Sequence, residues 1–421
     1  MRIVLAALAS LLVVGCSSAA SSPDAGDTSD SGTAPDVAAP DAGNVTGISK
    51  VATGEYVTAY LSSGRLYEVA GGTDRLGAGP NPGPMFPPNE VAFAKERTIV
   101  DVAGGLHVTI AADDLGQVWE WGDAASNPAL IKSNVPVQIT TDSQGNPFTL
   151  LDGQGHNVRG MQASGATSIA IKGDGTVWVW DDCSGGLQGD GTAGSATVTQ
   201  PIRVNIPLAQ GVTITKVAIS DVAIALASDG TVWTWGGNGV KENLGTGSTD
   251  FMTPHPITTP MGKVVDLATG NSFSYALTED GKLFGWGAYA HIAGACPGSG
   301  WCPAMTPIDL TGVVIHDGNT AHITSIASNL SASYAVLSDG SIWAWGSNGQ
   351  GLVGTGPEMD MKAMNYTWDW GKDEMMIYSA VRILATHNDV TKVFTNASLA
   401  FYTYVQTADG RLFSWGRNKT G

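Results

Sequence analysis

One unit recurs along almost the whole chain: an apolar strand, a tight Gly turn, and a strand that carries two aromatic residues two apart and ends in Trp-Gly. The clearest copies are residues 225–236 (ALASDGTVWTWG) and 335–346 (AVLSDGSIWAWG). They read as β-hairpins, because Asp-Gly supplies the positive-φ residues of a two-residue hairpin turn. The turn glycines are Gly64, Gly116, Gly175, Gly230, Gly281, Gly340 and Gly410, in steps of 52, 59, 55, 51, 59 and 70 residues. A period of that size belongs to propellers and solenoid arrays rather than to a domain with one central core.

Side-chain alternation chooses between the two. In Trp178-Val179-Trp180 the indoles leave one face of the strand while Val177 and Val179 leave the other. Both faces are apolar, as in blades stacked face to face around an axis, where each sheet is covered by its two neighbours. Residues 47–421 contain no sustained amphipathic helical pattern, and the chain's 55 glycines suit many turns. Seven copies predict an all-β, seven-bladed β-propeller over residues 47–421.

The repeat, written Ala-Leu-x-x-Asp-Gly-x-Val-Trp-x-Trp-Gly-x-Asn and followed by segments such as Leu244-Gly245-Thr246-Gly247, resembles that of the regulator of chromosome condensation family. The likeness runs over nearly all of residues 50–421. The second copy also keeps the upstream family signature, Ala103-Gly104-Gly105-Leu106-His107, whereas Phe273 stands where the family often has His. Kelch propellers share the period but are marked by Gly-Gly doublets, and sialidase Asp-boxes place a residue between Asp and Gly. The resemblance implies a propeller; secreted bacterial members that inhibit β-lactamases imply that such a repeat can bind proteins outside the cell.

Arg2, an apolar run from Ile3 to Val14 and then Gly15-Cys16 resemble a bacterial lipoprotein signal. The run is too short to span a bilayer. Residues 1–15 are expected to be removed and Cys16 to carry the lipid, with Ser17 in the position that such lipoproteins use for sorting to the outer membrane. The alternative is an ordinary secretory signal. Residues 16–46 hold Asp, Ser, Ala, Pro, Gly and Thr without Lys or Arg, too little apolar surface to offset ordering entropy. They read as an acidic, disordered tether of about 30 Å at flexible-coil dimensions.

Lys and Arg total 21 against 38 Asp and Glu, a formal balance of −17. Nucleic-acid binding depends on neutralising phosphates, so an acidic exported chain is not expected to bind nucleic acid, and the chromatin and GTPase-exchange roles associated with the family do not carry over. Beyond Cys16, the loop Cys296-Pro-Gly-Ser-Gly-Trp-Cys302 is short enough to close as a disulfide in an oxidising compartment, leaving Cys183 unpaired. A zinc site of His291, Cys296 and Cys302 is the alternative, without a recognised ligand spacing. No Gly-x-Ser-x-Gly, His-Glu-x-x-His or phosphate-binding Gly loop occurs in the sequence. No enzyme activity, cofactor or resident metal is expected, although carboxylates converging on the propeller axis would make a glycosidase site.

The largest departure from the repeat precedes the last hairpin. Residues 357–389 insert Met359, Met361, Met364, Tyr366, Trp368, Trp370, Met375, Met376 and Tyr378. Insertions in repeat arrays emerge on one face, often the binding face, and Trp, Tyr and Met favour recognition sites. Met359 to Trp370 are the candidate ligand contacts. The alternatives are a flap packed on the blade edge and, for the methionines, a thioether copper(I) site. A second insertion, residues 138–148, reads as an extra hairpin. The last copy stops soon after Trp415-Gly416, so either the sequence is truncated at Gly421 or, the preferred expectation, residues 48–53 pair with its sheet and close the ring. The whole reads as a monomeric recognition propeller, lipid-anchored at the outer membrane or cell surface, that binds a protein or glycan. A carbohydrate-active enzyme and a structural envelope protein are the competing classes.

Overall fold

The computed structural model describes residues 47–416 except 55–56, 71–88, 92–96, 107, 124–131, 152–157, 195–197, 238, 288–302, 317, 349–350, 356–365, 370–373 and 397–401. These residues lie in one compact unit, Asp36–Gly421. They form seven antiparallel sheets, the blades of a propeller.

Blade 1 comprises β1 (Ile48–Thr53), β2 (Val57–Ser62), β3 (Arg65–Ala70) and β4 (Asn89–Glu90). Blade 2 comprises β5 (Ile99–Gly104), β6 (Val108–Asp113), β7 (Val118–Asp123) and β8 (Lys132–Ile139). Blade 3 comprises β9 (Gly160–Ser164), β10 (Thr167–Ile171), β11 (Val177–Asp181) and β12 (Val198–Arg203). Blade 4 holds β13 (Ile214–Ile219), β14 (Val222–Ala227), β15 (Val232–Gly236) and β16 (His255–Pro256). Blade 5 holds β17 (Val264–Gly270), β18 (Phe273–Thr278), β19 (Leu283–Gly287) and β20 (Ala304–Asp309). Blade 6 holds β21 (Ile323–Ser328), β22 (Ala332–Leu337), β23 (Ile342–Ser347), β24 (Tyr366–Asp369) and β25 (Glu374–Ile383), with β25 beside β23 and β24 outermost. Blade 7 holds β26 (Val390–Phe394), β27 (Tyr402–Thr407) and β28 (Leu412–Gly416).

The repeated hairpin is a three-residue turn, not the two-residue turn expected. In blade 4 the Ala227 N–H donates to Thr231 O and the Gly230 N–H to Ala227 O, both at 2.9 Å. Only the glycine is left-handed, at φ 88°, and Asp229 uses its carboxylate to accept the Thr231 N–H at 2.9 Å. A type I turn closed by an αL glycine needs a single positive-φ residue, so Asp serves as a side-chain acceptor rather than as a second left-handed residue. Blades 2 to 7 share this bonding. Blade 1 alone has the two-residue form, with Ser63 at φ 49° and Gly64 at φ 75°.

Each core lies between neighbouring blades. Ile169, Val179 and Leu187 of blade 3 pack on Val217, Ala223, Ala225 and Trp235 of blade 4. The second aromatic of the repeat adds a directed bond across every such seam but one. Trp121 Nε1 donates to Glu68 Oε1 (3.0 Å), Trp180 to Glu120 Oε2 (3.1 Å), Trp235 to Leu187 O (2.9 Å), Trp286 to Asn243 O (3.1 Å), Trp345 to Tyr275 OH (3.1 Å) and Trp415 to Leu352 O (2.8 Å). Every acceptor belongs to the preceding blade. Blade 1 carries Val69 in this place, and its seam with blade 7 is made instead by Tyr60 and Tyr404, whose rings meet edge to face at 6.0 Å.

Residues 48–53 do not pair with the last sheet. They form β1, the inner strand of blade 1, in register with β2. Their apolar alternation fits an inner strand, and the ring meets by packing: Gln406 Nε2 donates to Ile48 O at 2.9 Å and Lys392 Nζ to Ser49 O at 3.2 Å.

Candidate recognition rim

Antiparallel alternation sends all equivalent connections to the same end of the ring. Inner strands contact one another around the axis, so the hairpin turns between second and third strands share one rim, the turn rim. The connections between third and fourth strands share the other, the insertion rim. Four of them are long, at residues 71–88, 182–197, 237–254 and 288–303 in blades 1, 3, 4 and 5, and blade 2 has the shorter 124–131; the β8 to β9 connection, residues 140–159, lies on the turn rim. The blade 6 insertion belongs to this set.

Part of that insertion is ordered as a hairpin. Tyr366 pairs with Ile377, Trp368 with Met375 and Asp369 with Glu374, while Ile377 also pairs with Gly346 of β23. The segment adds a fifth strand to blade 6. Tyr366 and Trp368 thus occupy alternate positions of the outermost strand. Met359, Met361, Met364 and Trp370 lie outside the described residues, as do Cys16, His107, His291, Cys296 and Cys302. Cys183 is free and buried, and burial pushes its thiol up. The second insertion is a short hairpin: Thr141 bridges Pro147, and the Asp142 carboxylate accepts the Gln144 and Asn146 N–H groups, each at 2.9 Å. It places Phe148 against Trp178 at 5.2 Å.

The axis is occupied by the chain's own bonds at both ends. Six inner strands slip register at their second residue, and the residue that follows is Lys50, Asp101, Lys216, Asp266, Ser325 or Lys392. A bulge re-aims the strand locally. On the turn rim Lys50 pairs with Asp101 and Lys216 with Asp266. The second oxygen of Asp101 accepts Met161 N–H at 2.9 Å, and that of Asp266 accepts Ile326 N–H at 3.2 Å. Towards the insertion rim, Asn396 Nδ2 donates to Thr53 O (2.7 Å), Ala163 O (3.1 Å) and Gly104 O, joining blade 7 to blades 1, 2 and 3. Between them runs a channel of about 170 Å³, lined in part by Ala52, Ala103, Ala218 and Ala268, with Gln162 and Phe394 as the two larger exceptions at that level. Neither the inner-strand slip nor Asn396 carries a repeat-level sequence mark, since the bulged residue is Ser, Thr or Val by turns.

These features bear on chemistry. Both axial carboxylates already hold a lysine and a backbone N–H, so neither is placed to act as acid or base on a sugar. The Thr253, His255 and Asp250 side chains cluster in blade 4, but Thr253 Oγ1 (2.7 Å) and His255 Nε2 (2.8 Å) both meet the same Asp250 oxygen. A relay needs the carboxylate on one ring nitrogen and the hydroxyl on the other. The contacts instead fold the loop and hold Asp250 down to about 2. Glu120 and Asp181 form a buried pair between blades 2 and 3: burial pushes Glu120 up to about 7 against the bond from Trp180. Burial and the Glu120 charge raise Asp181 well above the carboxylate range. Asp181 stands at φ 73° where blades 2, 4, 5, 6 and 7 have glycine. Among the described residues, no three His, Cys, Asp or Glu side chains are grouped to hold a metal ion.

A family model, the regulator of chromosome condensation (RCC1) repeat, matches residues 264–288 and 323–352, the first three strands of blades 5 and 6. RUG3, a mitochondrial RCC1 domain-containing protein of Arabidopsis thaliana, is 27% identical over 286 residues, 65% of this chain and 59% of that protein. The ultraviolet-B receptor UVR8 of the same plant is 24% identical over 350 residues, 79% of this chain and 68% of that protein. The human E3 ubiquitin-protein ligase HERC2 is 26% identical over 255 residues, which are 58% of this chain but 5% of the ligase. Among solved structures, human WBSCR16 superposes with a TM-score of 0.65 at 18% identity, covering 88% of this chain and 87% of that one. Prp20p of Saccharomyces cerevisiae, solved in a study of its binding to Gsp1p and histones, gives 0.62 at 17% identity over 88% and 82% of the two chains. The repeat family is supported by the family model and these relatives, and the seven-bladed fold by the solved propellers.

Proposed function

We propose that this propeller of regulator of chromosome condensation repeats is a non-enzymatic recognition module, which binds a protein through its insertion rim and is held at a membrane surface by a lipid on Cys16. The observation that carries the reading is the gathering of the long third-to-fourth-strand connections of blades 1, 3, 4 and 5, together with the blade 6 hairpin, on one rim of the ring. Loops on a rigid scaffold are where such folds place recognition. The axial mouths offer a ligand less, because lysine, aspartate and Asn396 there are engaged within the chain. Prp20p binds Gsp1p and histones, and protein binding is the part of that behaviour taken over here. Its partners are not, since a chain at −17 is poorly suited to chromatin.

The test is photo-crosslinking in cells, with a crosslinker placed at Trp368 on the insertion rim and, separately, at Asp229 on the turn rim. A protein adduct formed from position 368 and not from 229 is expected. Trp368→Ala with Trp370→Ala should lose the partner while leaving the melting temperature unchanged. Adducts from both rims alike, or hydrolysis of envelope polysaccharide by the purified protein, would overturn the reading.

A further inference from the structure

The charged side chains around the axis on the turn rim follow a period of three blades. At the level just past the register slip, blades 1 to 7 carry Lys50, Asp101, Gly160, Lys216, Asp266, Ser325 and Lys392. A lysine in one blade is answered by an aspartate in the next, twice: Lys50 by Asp101 and Lys216 by Asp266. Lys392 stands where a third such pair would begin, but the blade that follows it in the ring is blade 1, which supplies Lys50 instead of an aspartate. Lys392 is exposed, has no ion pair among the described residues, and donates to Ser49 O at 3.2 Å. This level therefore carries three ammonium groups against two carboxylates, in a chain whose formal balance is −17.

The channel that starts at this level has groups to receive a guest. Bonds within the chain leave the two mouths little to offer a protein, but between them lie about 170 Å³. That volume suits a guest of roughly six to ten non-hydrogen atoms. From the level of Lys50 to that of Thr53 is about 10 Å at the rise of a strand, so an extended guest fits better than a compact ring. Among the described residues, the charged groups lining the channel are both lysines, Lys50 and Lys216, because Asp101 and Asp266 turn to backbone N–H groups. Deeper in the wall, the Gln162 side chain is half-buried and makes no hydrogen bond among the described residues. Thr53 Oγ1 is buried there and also lacks a partner among them. Polar groups in such places are ordinarily met by a partner.

We propose that the axial channel is a binding site for a short polyhydroxylated monocarboxylate, a sugar acid, which enters from the turn rim with its carboxylate between Lys392 and Lys50 and its hydroxyls on Gln162. The carboxylate of the guest takes the place of the aspartate that blade 1 does not supply, and its single charge balances the axial set. It offers Lys392 a charge-assisted bond where the chain offers a neutral carbonyl. The Gln162 amide both donates and accepts, which matches a hydroxyl in either sense. The site lies on the axis and not on the insertion rim, so it stands apart from the recognition reading and survives its failure.

Titration calorimetry on the full chain at low salt tests it, with D-erythronate as the probe, erythritol as its neutral counterpart and acetate as the bare charge. Erythronate should bind one to one and at least about tenfold more tightly than either of the others. Lys392→Gln, at an exposed position, should keep the melting temperature and weaken erythronate about tenfold while leaving erythritol unchanged. Gln162→Leu should weaken both. In the parent protein, erythronate should also move the side-chain amide resonances of Gln162 in a nitrogen-labelled sample. Absence of both heat and that shift at about 20 mM erythronate overturns the proposal. So does erythritol or acetate binding as tightly as erythronate, since charge and hydroxyls are then not read together. Erythronate affinity that ignores both substitutions puts the guest elsewhere and overturns it too.

Discussion

Glu120 and Asp181 put two carboxyl groups into one dry seam, and Trp180 donates its indole N–H to the first. Because Glu120 titrates near 7 when folded, against 4.5 in an open chain, the folded protein holds a proton that the unfolded chain has released between those values. The associated stability is complete below about pH 4.5 and is lost as pH rises through about 7. Asp181, raised by burial and by Glu120, acts in the same direction. Melting temperatures from pH 5 to 8 should therefore fall less steeply for Glu120→Gln than for the parent, and an unchanged slope would show the pair to be hydrated. Trp235 makes a second residue-scale case. Its side chain is fully buried and bonded to Leu187, so Trp235→Ala should cost about 3–5 kcal/mol in chemical denaturation.

Among elements, the segment that leaves the inner strand of blade 7 does more than line the channel. Asn396 reaches carbonyls of three other blades, and no sequence pattern announced it. Asn396→Ala strands those acceptors; a loss of about 1–3 kcal/mol is expected by thermal unfolding, with the hairpins themselves intact by circular dichroism. The hairpins were legible in the sequence because two strands, a glycine and paired aromatics lie within a dozen residues. Their exact turn was not, since Asp-Gly serves either as two left-handed residues or as an Asp acceptor followed by one. The blade 6 insertion was legible as a departure from the period. That it would add a strand beyond β25 depends on pairing with Met375, Met376 and Ile377, which composition does not encode. Of the candidate contacts, Tyr366 and Trp368 stand in the outermost strand, and Met359, Met361, Met364 and Trp370 lie outside the described residues.

For the whole molecule, the count of blades followed directly from the count of turn glycines, but the way the ring meets did not. Residues 48–53 carry the alternation of any apolar strand, and only position in the ring distinguishes an inner strand from a closing one. Anchoring is a property at this scale too. Cys16→Ala should release an exported or uncleaved protein from the membrane fraction, and metabolic palmitate label persisting in that variant would refute lipid attachment at this residue. The six indole bonds have a consequence for synthesis. Each donor finds an acceptor made earlier in the chain: Glu68 exists before Trp121 leaves the ribosome, Glu120 before Trp180, and so on to Leu352 before Trp415. Blade 1, with Val69, asks nothing of a predecessor. The polypeptide can therefore be assembled vectorially, every newly emerged sheet clasping a finished one, with no blade left holding an unmet indole while it waits for sequence still to be translated.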